Sequence, residues 1–213
     1  DMMAAIERFG VAVKRSETRL AVFYYAGHGA QLDWRNYLLP VDAVVRQQED
    51  MKQRCVDLSL LLGQFSAAKD KTFVVILDAC RNNPFGVEYR PEQKGLSQFD
   101  APVGSLLAYA TSPGNVASDG DGQNGLYTEN LVRELSRRGT RIEDALKRVR
   151  LNVRLASKGE QIPWETTSLE GDVFIFNEGQ KNLSEAEMEK LLEADVNEWS
   201  RIKSSKKVDD WVA

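Results

Sequence analysis

A chain of 213 residues, 42% hydrophobic and 28% charged, can bury one sizeable core, and its composition excludes a disordered or fibrous protein. A formal net charge of -4, with acids and bases interleaved and no Lys/Arg-rich patch set among aromatics, argues against nucleic acid as a partner. No apolar stretch approaches the roughly 20 residues that span a bilayer, and the N-terminus lacks a basic-then-apolar signal pattern, so no membrane partner is expected for this chain.

Residues 1–14 place Met2, Ile6, Phe9, Val11 and Val13 at partly helical spacing, and this helix lacks a cap of its own, so the chain is read as starting inside a domain. Residues 20–25 form a near-continuous apolar and aromatic run that predicts a strand covered on both faces of a parallel sheet, ending at Gly27-His28-Gly29. Leucines at helical spacing over 56–68 lead through Lys69-Asp70-Lys71 into a second buried run, 73–77, which ends at Asp78-Ala79-Cys80. The polar stretch 86–104, with Pro91, Gly95 and Pro102, has neither periodicity and reads as an exposed loop. A third strand is expected over 105–110, amphipathic helices over 126–137 and 142–156, and a last strand over 173–176. Beyond it, residues 184–207 are a charged helical stretch whose apolar face is sparse (Leu183, Met188, Leu191, Leu192, Trp199), a linker or the start of another module.

Helices alternating with buried strands define an α/β sheet with helices on both faces, and such sheets bind ligands beyond the carboxyl ends of their strands. His28 and Cys80 both fall there. A thiol attacks a carbonyl only as the thiolate, so it needs a base or an electropositive setting, and imidazole is the usual supplier. His28 is the only histidine of the chain, so any histidine-assisted mechanism must use it. The plain alternatives are a small buried cysteine at Cys80 and a loop histidine satisfied by backbone. Glycines on both sides of His28 imply a close approach of something to that backbone. Cys55 has no motif around it. With no Cys-x-x-Cys pair and no disulfide framework, a free thiol at Cys80 suits a reducing, cytoplasmic setting, or a periplasmic one if a signal precedes residue 1.

His28 lies 52 positions before Cys80 (80 minus 28), and caspases place their histidine about 50 residues upstream of the cysteine. With Ala110-Thr111-Ser112-Pro113-Gly114-Asn115, Gly125-Leu126-Tyr127-Thr128 and Gln161-Ile162-Pro163-Trp164 in the expected places, the chain resembles a bacterial caspase-like cysteine peptidase of the metacaspase and orthocaspase type. The resemblance covers about residues 1–178: a large-subunit-like segment over 1–85, the loop 86–104 and a small-subunit-like segment over 105–178, with 179–213 as the charged tail. The fold it implies is mostly parallel, and the family's first strand would lie before Asp1, so that strand is expected to be missing here.

The resemblance implies endopeptidase activity through an acyl-enzyme, with Cys80 as nucleophile, His28 as base and acid, and the N–H groups of Gly29 and Cys80 as oxyanion hole. Caspases that cut after aspartate carry glutamine where Asp78 stands, whereas metacaspase-like enzymes carry aspartate and cut after arginine or lysine. A carboxylate there pairs with a cation and rejects an anion, so a protein or peptide substrate with Arg or Lys before the cleaved bond is expected. A turn or capping carboxylate is the plain alternative for Asp78. Asp119 is the candidate second acid of this pocket. Arg90 and Lys94 then become candidate self-cleavage sites in the exposed loop.

No cofactor is expected and no metal ligand is assigned. The run from Asp119 fails the EF-hand template, with Asn124 where glycine is needed and Asn130 where a bidentate glutamate is needed, while the resemblance keeps calcium activation open, since it occurs in some related metacaspases. Trp164 reads as core or pocket wall, Tyr24 and Tyr25 as strand packing. Glu198-Trp199-Ser200-Arg201-Ile202 and Asp209-Asp210-Trp211 are similar to the start of helical repeats that follow some bacterial caspase-like domains, which would bring a regulatory protein partner; an isolated charged helix fits equally. The alternative to an enzyme is a catalytically silent caspase-like scaffold acting by protein–protein interaction. A thiol redox sensor is a third reading, and it needs Cys55 as resolving partner.

Overall fold

The computed structural model describes residues 2–66, 68, 70–79, 95–113, 115, 117 and 124–176, all within one compact unit spanning 1–176. Helix α1 (Met2–Val13) leads into strand β1 (Leu20–Ala26). A hairpin follows, β2 (Gly29–Leu32) and β3 (Arg35–Leu38), then helix α2 (Gln48–Arg54), the short β4 (Val56–Asp57) and helix α3 (Leu58–Ser66). The second half holds β5 (Thr72–Asp78), β6 (Ser105–Tyr109), helices α4 (Leu126–Leu135) and α5 (Ile142–Ala156), and β7 (Trp164–Thr167).

The main sheet runs β1-β5-β6-β7, with β1, β5 and β6 parallel and β7 antiparallel to β6; β2-β3-β4 form a small antiparallel sheet. Strand β5 is central, and every side chain from Phe73 to Asp78 is buried, as its unbroken apolar run requires. Its alternate residues feed two cores. Phe73, Val75 and Leu77 pack with α1 and α3, where Phe65 stacks on Phe73 at 4.0 Å between ring centroids; Val74 and Ile76 pack with α4 and α5. Helix α5 buries Ile142, Ala145, Leu146, Val149 and Val153, a stripe at three- and four-residue spacing.

Two expectations are corrected and a third is narrowed. Strand β1 is not covered on both faces: Ala21 is buried while Val22 and Tyr24 are 42% and 45% exposed, because α4 and α5 lie over β5 and β6. The last strand of the sheet is β7, not residues 173–176. That segment instead satisfies the backbone before α5, with Ile142 N–H donating to the Val173 carbonyl at 2.8 Å, Gly139 N–H to Phe176 at 3.0 Å, and an isolated bridge from Arg141 to Phe174. Of the two readings of Trp164, core or pocket wall, its 41% exposure on β7 opposite Tyr109 excludes the core. Among the described residues no helix is long and apolar enough to cross a membrane, and no cluster of three His, Cys, Asp or Glu could hold a metal.

Candidate active site

Parallel strands end on one edge, and the register β1 against β5 sets Ala26 opposite Asp78. The ladder continues one step further, with Gly27 N–H donating to the Asp78 carbonyl at 3.1 Å. The loop that carries His28 therefore runs alongside the segment Asp78-Ala79 that leads to Cys80. Cys80, Asp119, Arg90 and Lys94 lie outside the described residues, whereas His28, Gly29 and Asp78 are described.

Both glycines beside His28 are required by close approach, and the approaching groups belong to the protein. A Cβ at Gly27 would fall 2.7 Å from the Tyr25 hydroxyl oxygen, and one at Gly29 would fall 2.8 Å from Leu96 Cδ2 and 3.1 Å from Ala79 Cβ. The Tyr25 hydroxyl lies 2.7 Å from the His28 carbonyl and 2.9 Å from the Leu39 carbonyl, while Leu39 N–H donates to the His28 carbonyl at 3.0 Å. Tyr25 thus fixes the histidine loop against the hairpin exit. A tyrosine inside an apolar run carries the signal of a packed strand residue, so nothing in the periodicity separates this role from burial.

On the other flank of the loop, Leu96 is fully buried and Asn36 holds the next residue: Ser97 N–H donates to Asn36 Oδ1 at 2.7 Å and Asn36 Nδ2 donates to the Ser97 carbonyl at 2.8 Å. The side-chain amide replaces a strand partner, and so pins Leu96 against Gly29. His28 also borders a cavity of about 470 Å³ whose walls include Met2, Tyr25, Leu39, Val44 and Val45.

Asp78 is 1% exposed and lies on the α4 side of β5. Thr128, in the first turn of α4, donates its hydroxyl to Asp78 Oδ2 at 2.5 Å, and Tyr24 on β1 meets the same Thr128 oxygen at 2.7 Å. Asp78 Oδ1 and the hydroxyl of buried Tyr127 have no hydrogen-bond partner among the described residues. Burial, reinforced by the nearby Asp78 charge, pushes the Tyr127 phenol far up, so it stays protonated at any physiological pH. Cys55 sits apart from these groups, packed with Ala30, Tyr37, Val45 and Met51, and burial pushes its thiol up to about 11. Such a thiol scarcely ionises near neutrality, which weighs against the redox-sensor reading.

The parallel sheet sets the histidine loop and the strand leading into Cys80 at one edge of an α/β frame, where such sheets bind their ligands. Residues 1–174 match the family model of the Caspase domain, and the chain belongs to that family of cysteine peptidases. Among solved structures the fold is similar to that of caspase-1 from Spodoptera frugiperda, at 16% identity over 84% of this chain and 72% of that one, with a TM-score of 0.57. No curated protein sequence matches the chain.

Proposed function

We propose that the protein is an endopeptidase that cuts after arginine or lysine through a Cys80–His28 dyad. The thiolate of Cys80 attacks the scissile carbonyl carbon, and the N–H groups of Gly29 and Cys80 receive the oxyanion. The C–N bond then breaks, His28 gives its proton to the leaving amine, and water, deprotonated by His28, hydrolyses the thioester. Each oxyanion donor is worth about 2.7 to 4 kcal/mol to the transition state. The dyad works without a cofactor in this reading, and a reducing compartment keeps its thiol free.

The observation that carries the specificity is the buried Asp78 carboxylate with one oxygen unpartnered among the described residues. A buried acceptor left unsatisfied costs about 1 to 3 kcal/mol, and a guanidinium or ammonium group relieves that cost where a substrate aspartate would add repulsion. Asp119 is proposed as the second acid of the pocket, and Arg90 and Lys94 as sites at which the chain cuts itself. The peptidase unit then ends near residue 178, and the charged tail is the candidate contact for a regulatory protein.

Incubation of the purified chain, followed by mass mapping of its fragments, tests this reading. New termini after Arg90 or Lys94, absent in Cys80→Ala and His28→Ala, are expected. Fragments that persist in Cys80→Ala would assign the cleavage to another protease.

A further inference from the structure

We propose that Thr128, oriented by Tyr24, is the positioning residue that sets the acceptor geometry of Asp78 and thereby the affinity for a basic side chain. This deepens the proposed specificity and rests on it. The Thr128 hydroxyl has one proton, and it is directed at Asp78 Oδ2. The Tyr24 hydroxyl, 2.7 Å from the same oxygen, must therefore be the donor to Thr128. The result is a directed relay, Tyr24 to Thr128 to Asp78, in which each bond polarises the next.

Two consequences follow for the carboxylate. The bond from Thr128 fixes the rotation of the carboxyl group, and it occupies Oδ2, so Oδ1 is the oxygen left to receive a ligand. At 1% exposure that oxygen is shielded from water, so a basic side chain reaches it only once neighbouring side chains move aside, and the cation then meets a low effective dielectric. The partners come from three elements, β5, α4 and β1, so their meeting depends on the assembled fold. Tyr24 itself is half-exposed, and its phenol meets Thr128 in the first turn of α4.

Calorimetric binding of a tetrapeptide ending in arginine amide to the full chain is the test, on wild type and on Thr128→Val, Thr128→Ser, Tyr24→Phe and Asp78→Asn. Thr128→Val should weaken binding about tenfold, the cost of one hydrogen bond to a charged group, and Tyr24→Phe two- to threefold. Thr128→Ser should restore the wild-type constant, and in turnover of arginine peptides the loss should fall on KM rather than kcat. Tyr24→Phe alters an edge position and keeps the test open should Thr128→Val fold poorly. Loss of binding in Asp78→Asn together with wild-type affinity in Thr128→Val and Tyr24→Phe would overturn the role of Thr128 and leave the specificity reading intact. Absence of binding by wild type, or unchanged binding in Asp78→Asn, would overturn both. A fall in melting temperature of Thr128→Val with an unchanged dissociation constant would reduce the relay to a structural one.

Discussion

Two carbonyls, those of His28 and Leu39, meet at one phenol, so the histidine loop is held by a residue outside the proposed dyad. Tyr25→Phe removes a single proton shared between two acceptors, so denaturant unfolding should show a loss of about 0.5 to 1.5 kcal/mol. Peptide turnover should fall more steeply than this, and on kcat, because the loop that loosens is the one carrying His28. His28 and its glycines are legible in the chain, since a lone histidine between two glycines is unusual; Tyr25 and Thr128 are not, because their roles depend on partners 14 and 104 positions away. Cys55 gives a pH test at this scale. The thiol ionises near 8.5 in an unfolded chain but only at about 11 in the fold, so between these values the unfolded chain holds fewer protons and stability falls as pH rises. In a Cys80→Ala background, adding Cys55→Ala should flatten that fall; identical pH curves would show that the Cys55 thiol is not shielded.

Elements differ in how plainly they are written. Helix α5 and strand β5 are legible because their burial follows a plain pattern, a single stripe at 3.6-residue period in the helix and an unbroken run in the strand. Leu146→Ala, at a position 2% exposed between α5 and the sheet, should therefore cost about 2 to 5 kcal/mol in chemical unfolding. Strand β7 is not legible: Trp-Glu-Thr-Thr is neither apolar nor alternating, and it is a strand because β6 offers it an edge. Arg150 of α5 reinforces that choice by pairing with Glu165 and donating to the Pro163 carbonyl at 3.1 Å. The β2–β3 hairpin escapes notice for another reason. Its two-residue turn is Asp33-Trp34, with φ of 51° and 63°, where glycine would ordinarily announce a type I′ turn. Trp34 is 74% exposed, so Trp34→Gly gives up little packing and relieves about 1 to 2 kcal/mol of left-handed strain. A higher unfolding midpoint is expected, and a lower one would mean that Trp34 packs usefully at the tip.

At the scale of the whole molecule, the parallel sheet delivers the ends of β1 and β5 to one edge, and α4 arrives there from the second half of the chain to hold Asp78 through Thr128. The fold class and the edge at which such sheets bind ligands can be argued from alternation alone, because helices must cover both faces of a parallel sheet. The support of the site cannot, since Asn36 pins Ser97 across 61 positions and Leu96 fills the space beside Gly29. At this edge the protein is proposed to hydrolyse peptide bonds after basic residues. The most direct measurement is kcat/KM on matched fluorogenic peptides ending in Arg, Lys or Asp, for wild type, Asp78→Asn and Cys80→Ala. Cleavage after Arg and Lys is expected, lost in Cys80→Ala and lowered at least about tenfold in Asp78→Asn, the loss that follows when a charge-assisted pair becomes a neutral one. Preferred cleavage after Asp, or turnover that survives in Cys80→Ala, would contradict the proposal.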